Sequence, residues 1–111
     1  MLRALSLRSM VRFNAEANGV SLLIPVYNGE PYLESALQSA IEKPQGCTFE
    51  IVVVDDGSTD GTPEILRRSK SKAEDKGIPF IVLTLQANKG LINALEEGMR
   101  LCSFEFIARL D

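Results

Sequence analysis

Two adjacent carboxylates, Asp55 and Asp56, stand where an apolar run of the chain ends in a turn at Gly57. Carboxylate oxygens accept hydrogen bonds, so such a pair can bind the imide of a nucleotide base or the hydroxyls of a ribose. The pair would repel a diphosphate unless a cation lay between them, or unless they faced the base and the sugar. Taken alone, the acids are explained equally well as acceptors for the amides of a tight turn. The residues that follow the other apolar runs of the chain distinguish between these two explanations.

Aromatic and polar residues also follow the other apolar runs. Tyr27 and Asn28 follow the first run, Asn88 and Gly90 follow the third, and Asp111 follows the last. An aromatic ring can stack on a flat base, and a further carboxylate can hold a divalent metal that bridges phosphates. Each residue also has a simpler explanation, with Tyr27 closing the core, Asn88 capping a helix and Asp111 being only a terminal residue. Together they predict a nucleotide site, provided that the fold brings them to one edge.

After residue 19, four apolar runs alternate with three amphipathic segments, which predicts the order β-α-β-α-β-α-β. The run from Ile51 to Val54 is β-branched and has no polar face, as is typical of a parallel strand covered by helices on both sides. Pro31 marks the first turn of the first helix, and Thr62 is the predicted N-cap of the second, with Pro63 at its first position. The predicted strands are Val20–Val26, Glu50–Asp55, Pro79–Leu85 and Phe104–Leu110.

This order of elements requires parallel pairing through crossover connections. In the mononucleotide-binding arrangement the first strand is central, the second and third lie on one side of it, and the fourth lies on the other. We therefore predict an α/β fold with an open, mainly parallel, Rossmann-like sheet of about four strands and helices on both faces. The carboxyl ends of its first, second and fourth strands would carry Tyr27, Asp56 and Asp111 to one edge.

The composition excludes several classes of function. A net charge of -3 provides no basic surface for nucleic acid, and the absence of histidine rules out a histidine-based triad or zinc site. Cys47 and Cys102 lack the Cys-x-x-Cys spacing of redox and metal motifs, so two thiols in a reducing, cytoplasmic compartment are favoured over a disulfide. No apolar run approaches the ~20 residues that span a bilayer. The length of 111 residues fits one domain or a part of one.

Residues 1–19 differ in character from the rest of the chain. They contain Arg3, Arg8 and Arg12 and no acid before Glu16, a composition weakly similar to an organelle targeting peptide. A disordered leader or a misassigned start codon is favoured over targeting, because the segment shows no recognisable strand of the sheet. We also expect the last strand, Phe104–Leu110, to expose an unpaired edge where the missing half of the domain would pack.

Four segments of the chain resemble the amino-terminal half of a family 2 glycosyltransferase. They are Val20–Asn28, Glu50–Asp60, Asn88–Gly90 and Phe106–Asp111. The resemblance covers everything after the leader and implies that residues 20–111 are the nucleotide-sugar-binding half of a domain with the GT-A fold.

The resemblance also implies roles for the residues at the ends of the first two strands. Pro25 and Tyr27 would line the base pocket, with Asn28 among the residues that bind the donor. Asp56 would bind the base, with Asp55 beside it. These assignments agree with the chemistry of an aromatic ring and a carboxylate at a strand end.

Residues later in the chain would bind the ribose and diphosphate of the donor and the metal. The resemblance implies that Asn88 and Gly90 shape the ribose and diphosphate region, and that Asp111 is the first acid of an Asp-x-Asp metal motif. The expected metal is Mg or Mn, bound in the full-length parent. The remainder of the motif is expected beyond residue 111.

The implied reaction is the transfer of a sugar from a nucleotide-diphospho-sugar to an acceptor hydroxyl, with inversion. The acceptor is unknown, no catalytic residue is assigned within this chain, and any membrane association would come through segments that the sequence lacks. A non-catalytic truncated remnant or a nucleotide-binding module is the alternative. A response-regulator receiver is disfavoured because receivers carry their acid pair on the first strand, and a sugar nucleotidyltransferase because no Gly-rich basic loop follows Val26.

Overall fold

The computed structural model describes residues 2–6, 16–42 and 48–110. Within them the chain forms one five-stranded sheet flanked by three helices. The strands are β1 (Leu2–Ser6), β2 (Glu16–Val26), β3 (Thr48–Asp55), β4 (Phe80–Thr84) and β5 (Phe104–Leu110). The helices are α1 (Leu33–Glu42), α2 (Thr62–Asp75) and α3 (Leu91–Leu101).

The strand order across the sheet is β1-β5-β2-β3-β4. The strands β2, β3, β4 and β5 are mutually parallel, which confirms the predicted α/β fold. The first strand of the predicted β-α-β-α-β-α-β order is β2, and it lies between β5 and β3 as expected. Val26 pairs with Asp55, and Asp55 pairs with Thr84, so the carboxyl ends of β2, β3 and β4 are level. The loops that follow these strands therefore start side by side.

β1 is an addition that the sequence did not predict. It pairs antiparallel with β5, from Leu2 opposite Leu110 to Ser6 opposite Phe106. The prediction that residues 1–19 contribute no strand is therefore wrong for β1 and for the start of β2, and the last parallel strand is not an open edge. The pairing joins opposite ends of the chain, so no local pattern could reveal it. A targeting role for the segment stays a prediction.

Two apolar layers hold the helices to the sheet, because successive side chains of a strand point to opposite faces. Val53 belongs to the layer under α1 and α2, whereas Val54 belongs to the layer under α3. The helices thus cover both faces, as predicted. The α1 and α2 layer is built from Leu22, Ile24, Val26, Leu33, Leu37, Ile41, Phe49, Ile51, Val53, Ile65, Leu66, Ala73, Phe80 and Ala108. The α3 layer is built from Leu23, Val52, Val54, Ala94, Cys102 and Ile107.

The helix starts differ by a few residues from those predicted. The N-cap of α2 is Gly61 rather than Thr62, and Thr62 is the first residue of the helix. The N-cap of α3 is Gly90 rather than Asn88, with a φ of 94° that side-chain-bearing residues rarely adopt. Neither N-cap residue has a side chain that can cap, so carboxylates elsewhere in the chain accept the amides at these helix starts.

Gly98 allows α3 to approach the sheet closely. A Cβ at this position would overlap the side chain of Leu23 and would lie 2.9 Å from Cγ2 of Val54. We expect Gly98→Ala to lower the free energy of unfolding by about 1 kcal/mol, the difference between ~2 kcal/mol lost through overpacking and ~1 kcal/mol by which alanine favours a helix. Urea denaturation measures the change, and Glu96→Ala, at an exposed position of the same helix, is the control. Equal stability of the Gly98→Ala chain and the unaltered one would show that α3 can move away from the sheet at no cost.

Candidate functional site

A pocket of about 150 Å³ lies at the carboxyl ends of β2 and β3, on the side of the sheet that α3 covers. Its walls come from the loops after β2 (residues 27–32, the first loop), β3 (56–61, the second loop) and β4 (85–90, the third loop), and from the start of α3. The lining residues are Pro25, Val26, Tyr27, Asp56, Asn88, Gly90, Leu91 and Ala94. The fold therefore brings together Pro25, Tyr27, Asp56, Asn88 and Gly90, all of which the sequence had suggested for donor binding.

Asp56 connects the second loop to the end of β2 and to the third loop. Its backbone N–H donates to the carbonyl oxygen of Val26 at 2.8 Å. Its Oδ1 accepts the amide of Lys89 at 2.8 Å, and its Oδ2 accepts the amide of Gly90 at 2.9 Å. These two bonds hold the residues just before α3 against the second loop, whereas the N-cap of α3, which is Gly90 and not the predicted Asn88, has no side-chain capping bond. Each oxygen of a carboxylate can accept a further hydrogen bond, so Asp56 retains capacity for a ligand in the pocket.

Gly57 lets the third loop lie directly on the second. Its φ is +76°, and a Cβ here would stand 2.7 Å from the carbonyl carbon of Ala87 and 2.7 Å from the backbone nitrogen of Asn88. Both the backbone conformation and the close approach require glycine. The turn after the two acids therefore fixes where Asn88 meets the pocket.

Asp55 faces the opposite side of the sheet from the pocket. Alternation along β3 places it on the face under α1 and α2, together with Val53. Its side chain is buried at 1% exposure, and its Oδ1 accepts the amide of Ser58 at 3.0 Å. Its Oδ2 is buried without a hydrogen-bond partner within the described part of the chain. The structure does not bring Asp55 into the pocket, so the carboxylate stabilises the turn instead.

Asn28 is also outside the pocket lining. It adopts a φ of 51°, in the left-handed region that asparagine tolerates better than most residues. Its amide donates to Oγ of Ser58 at 2.8 Å, and its Oδ1 accepts the amide of Thr59 at 2.7 Å. The Asn28 side chain therefore joins the first loop to the second rather than facing the pocket.

The predicted metal ligand Asp111 lies outside the described residues. Among the residues that are described, no group of three or more His, Cys, Asp or Glu side chains could hold a metal ion. Both oxygens of Asp56, the acid at the pocket, already accept backbone amides. The described residues thus do not provide a metal site.

Leu91 and Ala94 line the pocket although neither was among the predicted site residues. Leu91 is 48% exposed, whereas Ala94 is buried. The first turn of α3 begins at the carboxyl edge of the sheet, so part of its apolar face extends past the sheet and meets the pocket. The three-residue spacing of Leu91 and Ala94 after Gly90 is the signal that could have indicated this wall.

An open, mainly parallel sheet with a pocket at the carboxyl ends of its strands defines a Rossmann-like class of α/β domain. The family model described as "Glycosyl transferase family 2" matches residues 21–111, and the chain belongs to that family. The likeness of this chain to solved structures of S. aureus TarS agrees with the predicted partial GT-A fold.

Similar proteins include a poly-beta-1,6-N-acetyl-D-glucosamine synthase from Staphylococcus epidermidis, which is 34% identical over 98 residues. A crystal structure of S. aureus TarS 1-349 in complex with UDP is 28% identical, with a TM-score of 0.68 over 84% of this chain. A mannosyltransferase from Pyrobaculum calidifontis, in complex with GDP-Man and Mn2+, has a TM-score of 0.62 over 85% of this chain. At 24% identity this last likeness concerns the fold alone.

The chain accounts for only part of each similar protein. The matched region is 86% of this chain but 22% of the length of the synthase, and 27% of the TarS chain. It is 28% of the mannosyltransferase chain. In the part of the chain that the structure describes, no helix has the length and apolar character needed to cross a membrane.

Proposed function

We propose that this chain forms the donor-binding part of a family 2 glycosyltransferase. It would bind the nucleoside diphosphate of a nucleotide-diphospho-sugar whose sugar is transferred to an acceptor hydroxyl with inversion. The observation that carries the proposal is the meeting of Tyr27, Asp56, Asn88 and Gly90 around one pocket at the carboxyl edge of the sheet. The TarS complexes with UDP and UDP-GlcNAc support the choice of a uridine nucleotide as the first ligand to test.

The pocket suits the base better than the whole donor. Its volume of about 150 Å³ is below the ~300–1,000 Å³ typical of sites that enclose a complete small ligand. The ring of Tyr27 is 47% exposed and can stack on the base, while Asp56 can accept the base imide hydrogen. The ribose and diphosphate would then extend along Asn88 and Gly90. The sugar and the acceptor would be bound outside this pocket.

A divalent cation, Mg or Mn, remains part of the proposal. It would neutralise the diphosphate, and Asp111 is the residue of this chain proposed to contact it. Because the net charge of the chain is -3, a cation would also offset the repulsion between the protein and its donor.

A test of the pocket compares the two tyrosines of the chain, both of which are exposed. Tyr27 lines the pocket, whereas Tyr32 is 53% exposed on the approach to α1 and does not. Because stacking on an aromatic ring contributes about 1–3 kcal/mol per base, we expect Tyr27→Ala to raise the Kd for UDP about tenfold. Titration calorimetry on the 111-residue chain measures this, with Tyr32→Ala as the matched control. A Kd that rises equally in both variants, or in neither, would contradict the proposed base pocket.

A nucleotide-binding module without transfer activity is the second candidate. One observation favours it, because Asp56 is the acid among the pocket-lining residues and both its oxygens accept backbone amides. A carboxylate so engaged is poorly placed to remove a proton from an acceptor. Release of UDP from UDP-GlcNAc by this chain in the presence of a sugar acceptor would contradict the module, because a binding module does not turn over its ligand.

A further inference from the structure

The first and second loops exchange hydrogen bonds in both directions beyond the pocket. The amide of Glu30 donates to Oδ2 of Asp60 at 3.1 Å, and the amide of Gly61 donates to Oε1 of Glu30 at 2.9 Å. We call this pair of bonds, with the carboxylates of Glu30 and Asp60, the loop clamp. Each loop thus provides one carboxylate that accepts a hydrogen bond from the other loop and one backbone amide that donates to the other loop's carboxylate.

The clamp lies at the N-terminus of α2, where the helix dipole favours negative charge. Oδ1 of Asp60 accepts the amide of Thr62 at 2.9 Å, so the same carboxylate binds both the first loop and the helix. Hydrogen bonding from Thr62, by its side chain first and then by its backbone amide, lowers the pKa of Asp60 below its ordinary value. A group with a lowered pKa contributes its stabilisation above its ordinary pKa and loses it only as the pH falls through the lowered one. The Asp60 carboxylate is therefore ionised throughout the neutral range.

The clamp is close in sequence to the residues that form the pocket but does not itself line it. Tyr27 is three residues before Glu30, and Asp56 is four before Asp60. Between the pocket residues and the clamp, Asn28 of the first loop forms hydrogen bonds with Ser58 and Thr59 of the second loop. A carboxyl oxygen of Glu30 would come within 3.0 Å of a Cβ on Gly61, which shows how closely the two loops pack.

We propose that Glu30 and Asp60 are positioning residues for the nucleotide pocket, which keep Tyr27 and Asp56 at the correct separation without contacting the ligand. The proposal rests on the proposed function. When the clamp is intact, the first and second loops move as one unit, and Tyr27 faces Asp56 across the space that a base would fill. Without it, the first loop is still joined to the second through Asn28, and the amide of Gly29 still donates to Oγ1 of Thr62 at 2.9 Å. These bonds leave the end of each loop freer to move, so the binding-competent arrangement becomes a fraction of the population. The apparent affinity falls in proportion to that fraction.

The test removes the Glu30 carboxylate and then restores its acceptor. Loss of one hydrogen bond to a charged group corresponds to about a tenfold shift in the clamped population, so Glu30→Ala should raise the Kd for UDP about tenfold. Glu30→Gln keeps an oxygen that can accept the amide of Gly61, and it should bind UDP within about twofold of the unaltered chain. Asp60→Ala should weaken binding at least as much as Glu30→Ala, because Asp60 accepts two amides.

Glu64→Ala is the matched control. Glu64 is an acid in the first turn of the same helix, and it pairs with Arg67 on the surface rather than with the first loop. The control should leave the Kd for UDP unchanged. Equal affinity of Glu30→Ala and Glu64→Ala, measured on fully folded protein, would overturn the proposal. It would also be overturned if Glu30→Ala lowered only the free energy of unfolding and not the affinity of the folded chain.

Amide hydrogen exchange separates this proposal from the proposed function. In the unliganded chain, the amides of Asn28 and Thr59 donate between the two loops, so Glu30→Ala should make both exchange about tenfold faster and Glu64→Ala should not. Unchanged exchange in Glu30→Ala would overturn the clamp even if UDP binds. Failure of the unaltered chain to bind UDP or GDP would instead overturn the proposed function, while the exchange rates decide whether Glu30 couples the loops.

Discussion

The Asp56→Ala variant is expected to bind UDP about 100-fold more weakly than the unaltered chain, because two effects combine. A hydrogen bond from the base to a carboxylate is lost. The amides of Lys89 and Gly90 also lose the acceptor that holds the third loop against the pocket. Titration calorimetry with UDP measures the loss, and nuclear magnetic resonance of the Lys89 and Gly90 amides reports the release of the loop.

Two further variants make this result specific to the geometry of Asp56. Asp56→Asn keeps the size of the side chain but turns one acceptor into a donor, which would face the amide of Lys89 or Gly90, so we expect a loss of affinity close to that of alanine. Asp75→Ala removes an exposed acid from the far end of α2 and should leave the Kd unchanged. Affinity retained in Asp56→Ala would mean that the base does not bind where we propose.

Glu50→Ala is expected to lower the free energy of unfolding by about 3 kcal/mol or more, since buried donors left without an acceptor cost ~1–3 kcal/mol each. Glu50 is 3% exposed near the amino end of β3. Its Oε2 accepts the hydroxyl of Ser21 at 2.6 Å and the amide of Ser103 at 2.5 Å, and its Oε1 accepts the hydroxyl of Ser103 at 3.0 Å. The hydroxyl of Ser21 in turn accepts the amide of Phe104 at 3.2 Å. The carboxylate thus ties the start of β5 to β2 and β3.

Urea denaturation measures this effect, with Glu74→Ala as the control. Glu74 is 53% exposed and pairs with Lys70 on the surface of α2, where an ion pair contributes about 0–1 kcal/mol. Glu50 lies toward the opposite edge of the sheet from the pocket, so folded Glu50→Ala should keep its affinity for UDP. A stability equal to that of the control would show that water can replace the carboxylate. A large loss of affinity in the folded variant would show that the two edges are coupled.

The fold was predictable because its main signals are local. β-branched runs such as Ile51 to Val54 indicate buried parallel strands, and the helical segments between them require crossover connections. The level ends of β2 and β3 follow from that topology, which is why Tyr27 and Asp56 were expected at one edge and are found there.

The errors concern contacts between residues that are far apart in sequence. The pairing of β1 with β5 joins the two ends of the chain. The amides that precede α3 are accepted by Asp56, more than 30 positions earlier, so the local capping preference of Asn88 predicted the wrong residue. Asn28 bonds to Ser58 and Thr59 and does not line the pocket, so its role in donor binding stays a prediction. In each case a partner from another loop outweighs the local preference of the residue.

The sequence by itself determined that two acids stand where a buried strand ends, because a run of β-branched residues has no polar face on which to place them. The tertiary structure alone decided how the acids divide their tasks. Adjacent residues of a strand point to opposite faces, and only the packing of α3 on one face shows which of them meets a pocket. Asp56 therefore faces the proposed nucleotide site, whereas Asp55 is buried under α1 and α2 and stabilises the turn.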